Sequence, residues 1–180
     1  MLYNGRLAWL SRDTLLVAAG TVFGDVVVWK YHFASNEMSY GRHDMLCTLT
    51  GHEGSIYGVD ISPEITRPDG ESVRLLASCS DDRTIRIWDV ATGQQSTPSD
   101  TRPSEVTETG FRPTPDYDAQ ETGEDAVRPV ATAMGHISRI WGVKFGLSDA
   151  CDTFGSNIPV YSFGEDSTAQ RWQLELDSGA

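Results

Sequence analysis

Two stretches of this 180-residue chain lie over one another, and that self-similarity constrains the fold more than any other feature. GHEGSIYGVDIS from Gly51 matches GHISRIWGVKFG from Gly135, and LLASCSDDRTIRIW from Leu75 matches PVYSFGEDSTAQRW from Pro159. The spacing repeats as well. Thirty residues separate His52 from Asp82 and His136 from Asp166, and 36 separate His52 from Trp88 and His136 from Trp172. A unit that recurs at fixed spacing buries its apolar surface against its neighbours rather than alone.

Each unit reads as short strands. An alternating run (Ile56 to Ile61; Ile140 to Phe145) precedes a second (Leu75 to Ser80; Val160 to Phe163), a tight acidic turn, and a third run ending at Trp. Period-two alternation bounded by Gly, Asp and Pro is strand chemistry. A fourth run, Met45 to Leu49 and Val130 to Ala133, stands before each Gly-His pair. Four strands per repeat with Gly-His and Trp-Asp marks resemble the WD-repeat family. The fold expected is all-β: a WD-repeat β-propeller, about three blades of a larger or truncated ring. Residues 1–50 form a degenerate blade, 51–134 a blade with an insertion, and 135–180 a blade without its last strand, which leaves open edges.

The degenerate copy places Val28-Trp29-Lys30 where Ile87-Trp88-Asp89 stands later. Counting back from Trp29, Phe23 falls at the turn Asp and Ala19 at the Ser, so this blade is expected to hold by packing alone. The insertion, about 92–128, is rich in Pro, Thr and Ser. Between Gln94 and Arg128 eight acids face three arginines, a charge of −5 out of −12 for the chain. Such a stretch buries too little apolar surface to offset its ordering entropy, and disorder is expected. Shorter insertions, Glu64 to Val73 and Gly146 to Pro159, fall at one matching place in their blades.

The acidic balance disfavours nonspecific nucleic-acid binding. The cations that could form a patch are Arg83, Arg86, Arg139, Lys144 and Arg171. No apolar run approaches the roughly 20 residues of a bilayer span, so no membrane association is expected. The first residues carry no basic-then-apolar signal. Cys47, Cys79 and Cys151 stand singly, as in reduced, mostly buried thiols of the cytosol or nucleus, and a cytoplasmic location is expected.

Ser78, His52 and Asp82 have the composition of a hydrolase triad, and Ser162, His136 and Asp166 repeat it. A catalytic triad occurs once, whereas an architectural device recurs per blade. Family resemblance implies the latter: a buried hydrogen-bond chain, or blade lock, from Trp88 through Ser78 and His52 to Asp82, and from Trp172 through Ser162 and His136 to Asp166. No metal is expected, because neither His has a second ligand at metal spacing. Neither GxGxxG nor a Walker sequence occurs, and no cofactor or small-molecule substrate is expected. The candidate partner surface comprises Ser55, Tyr57, Asp81, Arg139, Trp141 and Glu165, because exposed aromatics and Arg commonly anchor interfaces. The alternative for Tyr57 and Trp141 is inter-blade core.

AAGTVFGDVVVW, GHISRIWGVKF and SFGEDSTAQRW are similar to strings of the WD repeat-containing protein 6 family. That resemblance implies a non-catalytic subunit supporting ribose 2′-O-methylation of the tRNA wobble nucleotide. Its partner, a tRNA 2′-O-methyltransferase, would hold the S-adenosylmethionine, and tRNA would bind only as part of the complex. Members of that family are much longer, so the chain is expected to be part of a larger ring. The alternative is a generic WD-repeat scaffold such as a cullin ubiquitin-ligase substrate receptor. The Trp-Asp-x-Arg motif common there is missing at Trp88-Asp89-Val90-Ala91 and at Trp172-Gln173.

Overall fold

The computed structural model describes residues 1–34, 41–66, 70–90, 127–146 and 157–175, together with the backbone of Phe111–Arg112. All its regular structure is strand. β1 (Leu2–Trp9), β2 (Thr14–Thr21), β3 (Val26–His32) and β4 (Arg42–Leu49) form a four-stranded antiparallel sheet in chain order. β5 (Ile56–Ile61), β8 (Leu75–Ser80), β9 (Thr84–Asp89) and β11 (Ala131–Met134) form the second blade. β12 (Ile140–Phe145), β13 (Asn157–Gly164) and β14 (Ala169–Glu175) form the third, which has three strands among the described residues. This is the up-and-down blade architecture of a partial WD β-propeller.

Three details differ from the expectations. The first blade opens with β1, which the short connection to β2 hides from a spacing comparison with the later copies. Between β5 and β8 the insertion carries a small hairpin, β6 (Ile65–Thr66) and β7 (Ser72–Val73), rather than only loop. Within the stretch expected to be disordered, β10 (Phe111–Arg112) pairs antiparallel with β11 and adds a fifth strand to the second sheet. A backbone ladder is at odds with disorder at that point; residues 91–110 and 113–126 lie outside the described residues.

The core lies between blades. One cluster joins Leu16, Val26, Val28 and Leu49 of the first blade to Ile56, Val59, Leu76 and Trp88 of the second. Another joins Ala77, Cys79, Ile85 and Ile87 of the second to Ile140, Phe145, Ile158 and Trp172 of the third. Small residues let the sheets approach: a Cβ on Gly20 would lie 2.9 Å from Ile56 Cβ, and one on Gly58 would lie 3.0 Å from the Gly142 backbone. The turn after the second strand of each blade needs one left-handed residue, and Gly24 (φ 89°), Arg83 (φ 67°) and Ser167 (φ 60°) occupy that one place.

Candidate interaction surface

The second and third blades contain the same directed hydrogen-bond chain. Trp88 Nε1–H donates to Ser78 Oγ (2.9 Å), whose hydroxyl meets His52 Nε2 (2.8 Å), while His52 Nδ1 meets Asp82 Oδ2 (2.8 Å). Trp172, Ser162, His136 and Asp166 repeat it at 2.8 Å in all three links. With the indole as donor, the series runs consistently when each His carries its proton on Nδ1 and accepts on Nε2.

Each carboxylate is saturated. Asp82 also accepts from Glu53 N–H, Thr84 N–H and Thr84 Oγ1–H; Asp166 accepts from Ile137 N–H, Thr168 N–H and Thr168 Oγ1–H. Burial alone would raise the Asp82 carboxyl, but the hydrogen bonds from His52 and Thr84 outweigh it and hold it well below the usual carboxylate range. Thr168, then His136, does the same for Asp166. Burial lowers His52, against the pull of Asp82, so the imidazole is neutral at neutral pH. Ser78 is 0% exposed and Ser162 2%. A buried hydroxyl already receiving an indole N–H is placed to satisfy Trp, not to attack a substrate.

The candidate surface residues divide into two sets. Ser55 Oγ–H donates to Val22 O in the preceding blade's turn (3.0 Å), and at the matching place Arg139 Nε meets Asp81 Oδ1 of the preceding blade (2.9 Å). Arg139 also lies 3.6 Å from Glu165, which accepts from Ser138 Oγ–H. Ser55, Asp81, Arg139 and Glu165 are thus engaged in stitching blades and turns together at the rim. Tyr57 and Trp141 instead pack against each other as tilted rings, with centroids 4.9 Å apart, and Tyr3 adds a third ring 5.5 Å from Tyr57. These three rings occupy the irregular step of β5, β12 and β1, one per innermost strand. Trp141 is 39% exposed and Tyr57 half-buried, an arrangement between the two readings of these residues.

A second layer escaped the sequence reading. Arg6, Asp60 and Lys144 hold equivalent places in the same three strands, and Asp60, only 4% exposed, ties all three blades together. Its Oδ1 meets Arg6 Nε (2.8 Å) and Lys144 Nζ (3.7 Å), and its Oδ2 accepts from Phe145 N–H (2.9 Å). Aligning YGVDIS with WGVKFG pairs Asp60 with Lys144; only the register of β1 adds Arg6. Among the described residues no cluster of His, Cys, Asp and Glu could hold a metal ion, and no helix is long and apolar enough to cross a membrane.

Comparison with known proteins places a repeat of the WD domain, G-beta repeat family at residues 44–89. The chain is similar to nuclear distribution protein PAC1 of Ajellomyces capsulatus, 27% identical over 160 residues, covering 88% of this chain and 32% of that protein. It is 24% identical over 106 residues to the tRNA (34-2′-O)-methyltransferase regulator WDR6 of Drosophila melanogaster, covering 57% and 10%. Eukaryotic translation initiation factor 3 subunit I of Aspergillus niger is 39% identical over 51 residues, covering 28% and 13%. The chain spans about a third or less of the length of these curated relatives.

Proposed function

We propose that the chain is a non-catalytic interaction platform, and that the protein it represents supports a tRNA ribose 2′-O-methyltransferase. The platform reading rests on one observation: the Ser-His-Asp sets are buried and spent on Trp, while the open inner strands present aromatic and charged layers. The finer reading is supported by the similarity to WDR6, which covers more than half of this chain. It is supported also by the first blade, where GTVFGDVVVW replaces the usual Ser and Asp. S-adenosylmethionine would belong to the partner, and tRNA would be held tightly only by the complex. The similarity to PAC1 favours a second reading, a general WD-repeat scaffold with other clients.

Affinity capture of the protein from its own cells, read by mass spectrometry, separates the two. A methyltransferase among the captured proteins, with wobble ribose methylation lost when the gene is deleted, is the expected result. Unchanged methylation, or capture of a ubiquitin-ligase adaptor without a methyltransferase, would overturn the finer reading. Tyr57→Ala and Trp141→Ala should weaken partner capture while the protein stays folded.

A further inference from the structure

The outermost strands of the first two blades end their sheets differently. β4 is eight residues long and begins Arg42-His43-Asp44, where Arg42 pairs with Asp44 at 2.8 Å and His32 of β3 meets the same carboxylate at 3.1 Å. Charged side chains of this kind keep another strand from adding to an edge, and β4 has none beyond it among the described residues. β11 is four residues long, Ala131-Thr132-Ala133-Met134, and carries no charge. Its edge does hold a further strand. β10 pairs with it antiparallel, Phe111 opposite Ala133 and Arg112 opposite Thr132, while β9 pairs with its other side along all four residues.

The position of this edge is fixed by the blade itself. The second blade packs on the first through one face and on the third through the other, and a blade's outer strand runs along the rim of a propeller whatever blades complete the ring. The hold of β10 on it is slight. Pro113 follows directly and has no N–H with which to extend the ladder toward Ala131, so β10 pairs with two of the four residues of β11. Tethering on both sides offsets this weakness, because it raises the local concentration of β10 to about the millimolar range. Thr132 Oγ1 is buried and finds no hydrogen-bond partner among the described residues. A strand that donates to it gains a bond that is otherwise unmade.

We propose that the outer edge of β11 is a strand-addition site for an extended segment of a partner protein, and that Phe111–Arg112 occupies it in the partner's absence. Main-chain hydrogen bonds supply affinity at such an edge, and alternate side chains supply selectivity. The register defines the ligand. Ala133, 0% exposed in the cluster between the second and third blades, calls for an apolar residue opposite it, and Thr132 for a side-chain donor. Opposite Ala131 the ligand needs a residue other than Pro, so that the ladder runs the length of β11. Binding here is independent of the aromatic rings on the inner strands and of any methyltransferase, so its failure leaves the functional reading above untouched.

The test is fluorescence anisotropy of the full chain with a labelled synthetic peptide of the sequence of residues 106–115 carrying Pro113→Val. The parent is compared with a chain carrying Phe111→Pro and Arg112→Pro, which strips β10 of its N–H groups and leaves the other four strands of that sheet unaltered. Saturable binding is expected, about tenfold tighter to the proline variant, whose edge is uncovered. A third chain, Arg112→Cys with Thr132→Cys, places thiols at directly opposed positions and should close a disulfide on mild oxidation. Peptide binding should vanish in the oxidised form and return on reduction, a comparison within one protein that decides the matter even if the proline variant does not fold. Absence of saturable binding to the reduced cysteine variant and to a folded proline variant, equal affinity of parent and folded proline variant, or binding that survives the disulfide would each refute the proposal. Failure of the two thiols to join would do so too, because the ladder would then not exist. A dimer of the parent that the disulfide abolishes would overturn the partner assignment and make the occupant the same segment of a second copy.

Discussion

The first and second blades reach the same shape by different means. In the second, Trp88 is fully buried on a polar chain that ends at a carboxylate with four donors. In the first, Ala19 stands at the Ser position and Trp29 remains half-buried. Phe23, at the Asp position, is 78% exposed. The turn there is closed locally: Thr21 Oγ1 accepts from Phe23 N–H (3.2 Å) and Asp25 N–H (3.1 Å), and Gly24 takes the left-handed step. A polar chain through a sheet interior is therefore not needed to form a blade. What it adds is a link between distant parts of the chain, since His52 reaches Ser78 and Asp82 across 26 and 30 residues, whereas Thr21 reaches only two and four.

The largest test of that difference is Asp82→Ala. It strips His52, Thr84 and Glu53 of a shared acceptor, and broken buried networks of this kind cost about 3–5 kcal/mol. Denaturant titration should show that loss, whereas Phe23→Ala, at the same place in the first blade, should stay within about 0.5 kcal/mol because its ring is exposed. Equal effects at the two sites would erase the distinction between the blades. No hydrolytic turnover should accompany Ser78 in the parent protein; a turnover abolished by Ser78→Ala with the melting temperature unchanged would make the triad a catalytic one.

The next effect is on pH. His52 titrates below its ordinary value because burial disfavours its charge, so the unfolded chain binds the extra proton first. That contribution to stability is present above about pH 6.5, the unfolded value, and is lost as pH falls toward the folded one. The depressed Asp82 adds its own loss at lower pH, beginning near the unfolded carboxylate range. Stability measured by denaturant titration should therefore decline on acidification from about pH 6.5, and His52→Gln should flatten that decline while lowering stability at neutral pH. A parent protein equally stable at pH 5 and pH 7 would contradict a neutral, buried His52.

Much of this was legible in sequence because polar residues with long-range partners leave fixed spacings. The 30- and 36-residue intervals located both Trp-Ser-His-Asp sets, and the alternation located most strands. Features that depend on register were not legible. β1 has a short connection to β2, so Arg6 could not be aligned with Asp60 before the strands were paired. Ser55 and Arg139 read as exposed contacts because sequence does not say which neighbouring turn lies beside them; Val22 and Asp81 do. The β10 pairing was hidden because a two-residue ladder inside a Pro- and acid-rich stretch has no periodicity to detect.

The smallest effect, and the sharpest for the comparison, is expected from Ala19→Ser. Ala19 is 3% exposed and stands ten residues before Trp29, the interval that separates Ser78 from Trp88. A hydroxyl there can accept from the Trp29 indole, as Ser78 accepts from Trp88. Where no imidazole receives its own proton, the hydroxyl would gain only that one hydrogen bond. A gain near 1 kcal/mol from the new bond is set against a desolvation cost of similar size. The net change in a denaturant titration should lie within about 1 kcal/mol, in either direction. Stabilisation well beyond that would mean that Ser and Trp alone make the lock, with His and Asp as accessories. Destabilisation of several kcal/mol would mean instead that the first blade is packed too tightly around Ala19 to admit one oxygen, and that its fold rests on close packing more than on the freedom from polar partners argued above.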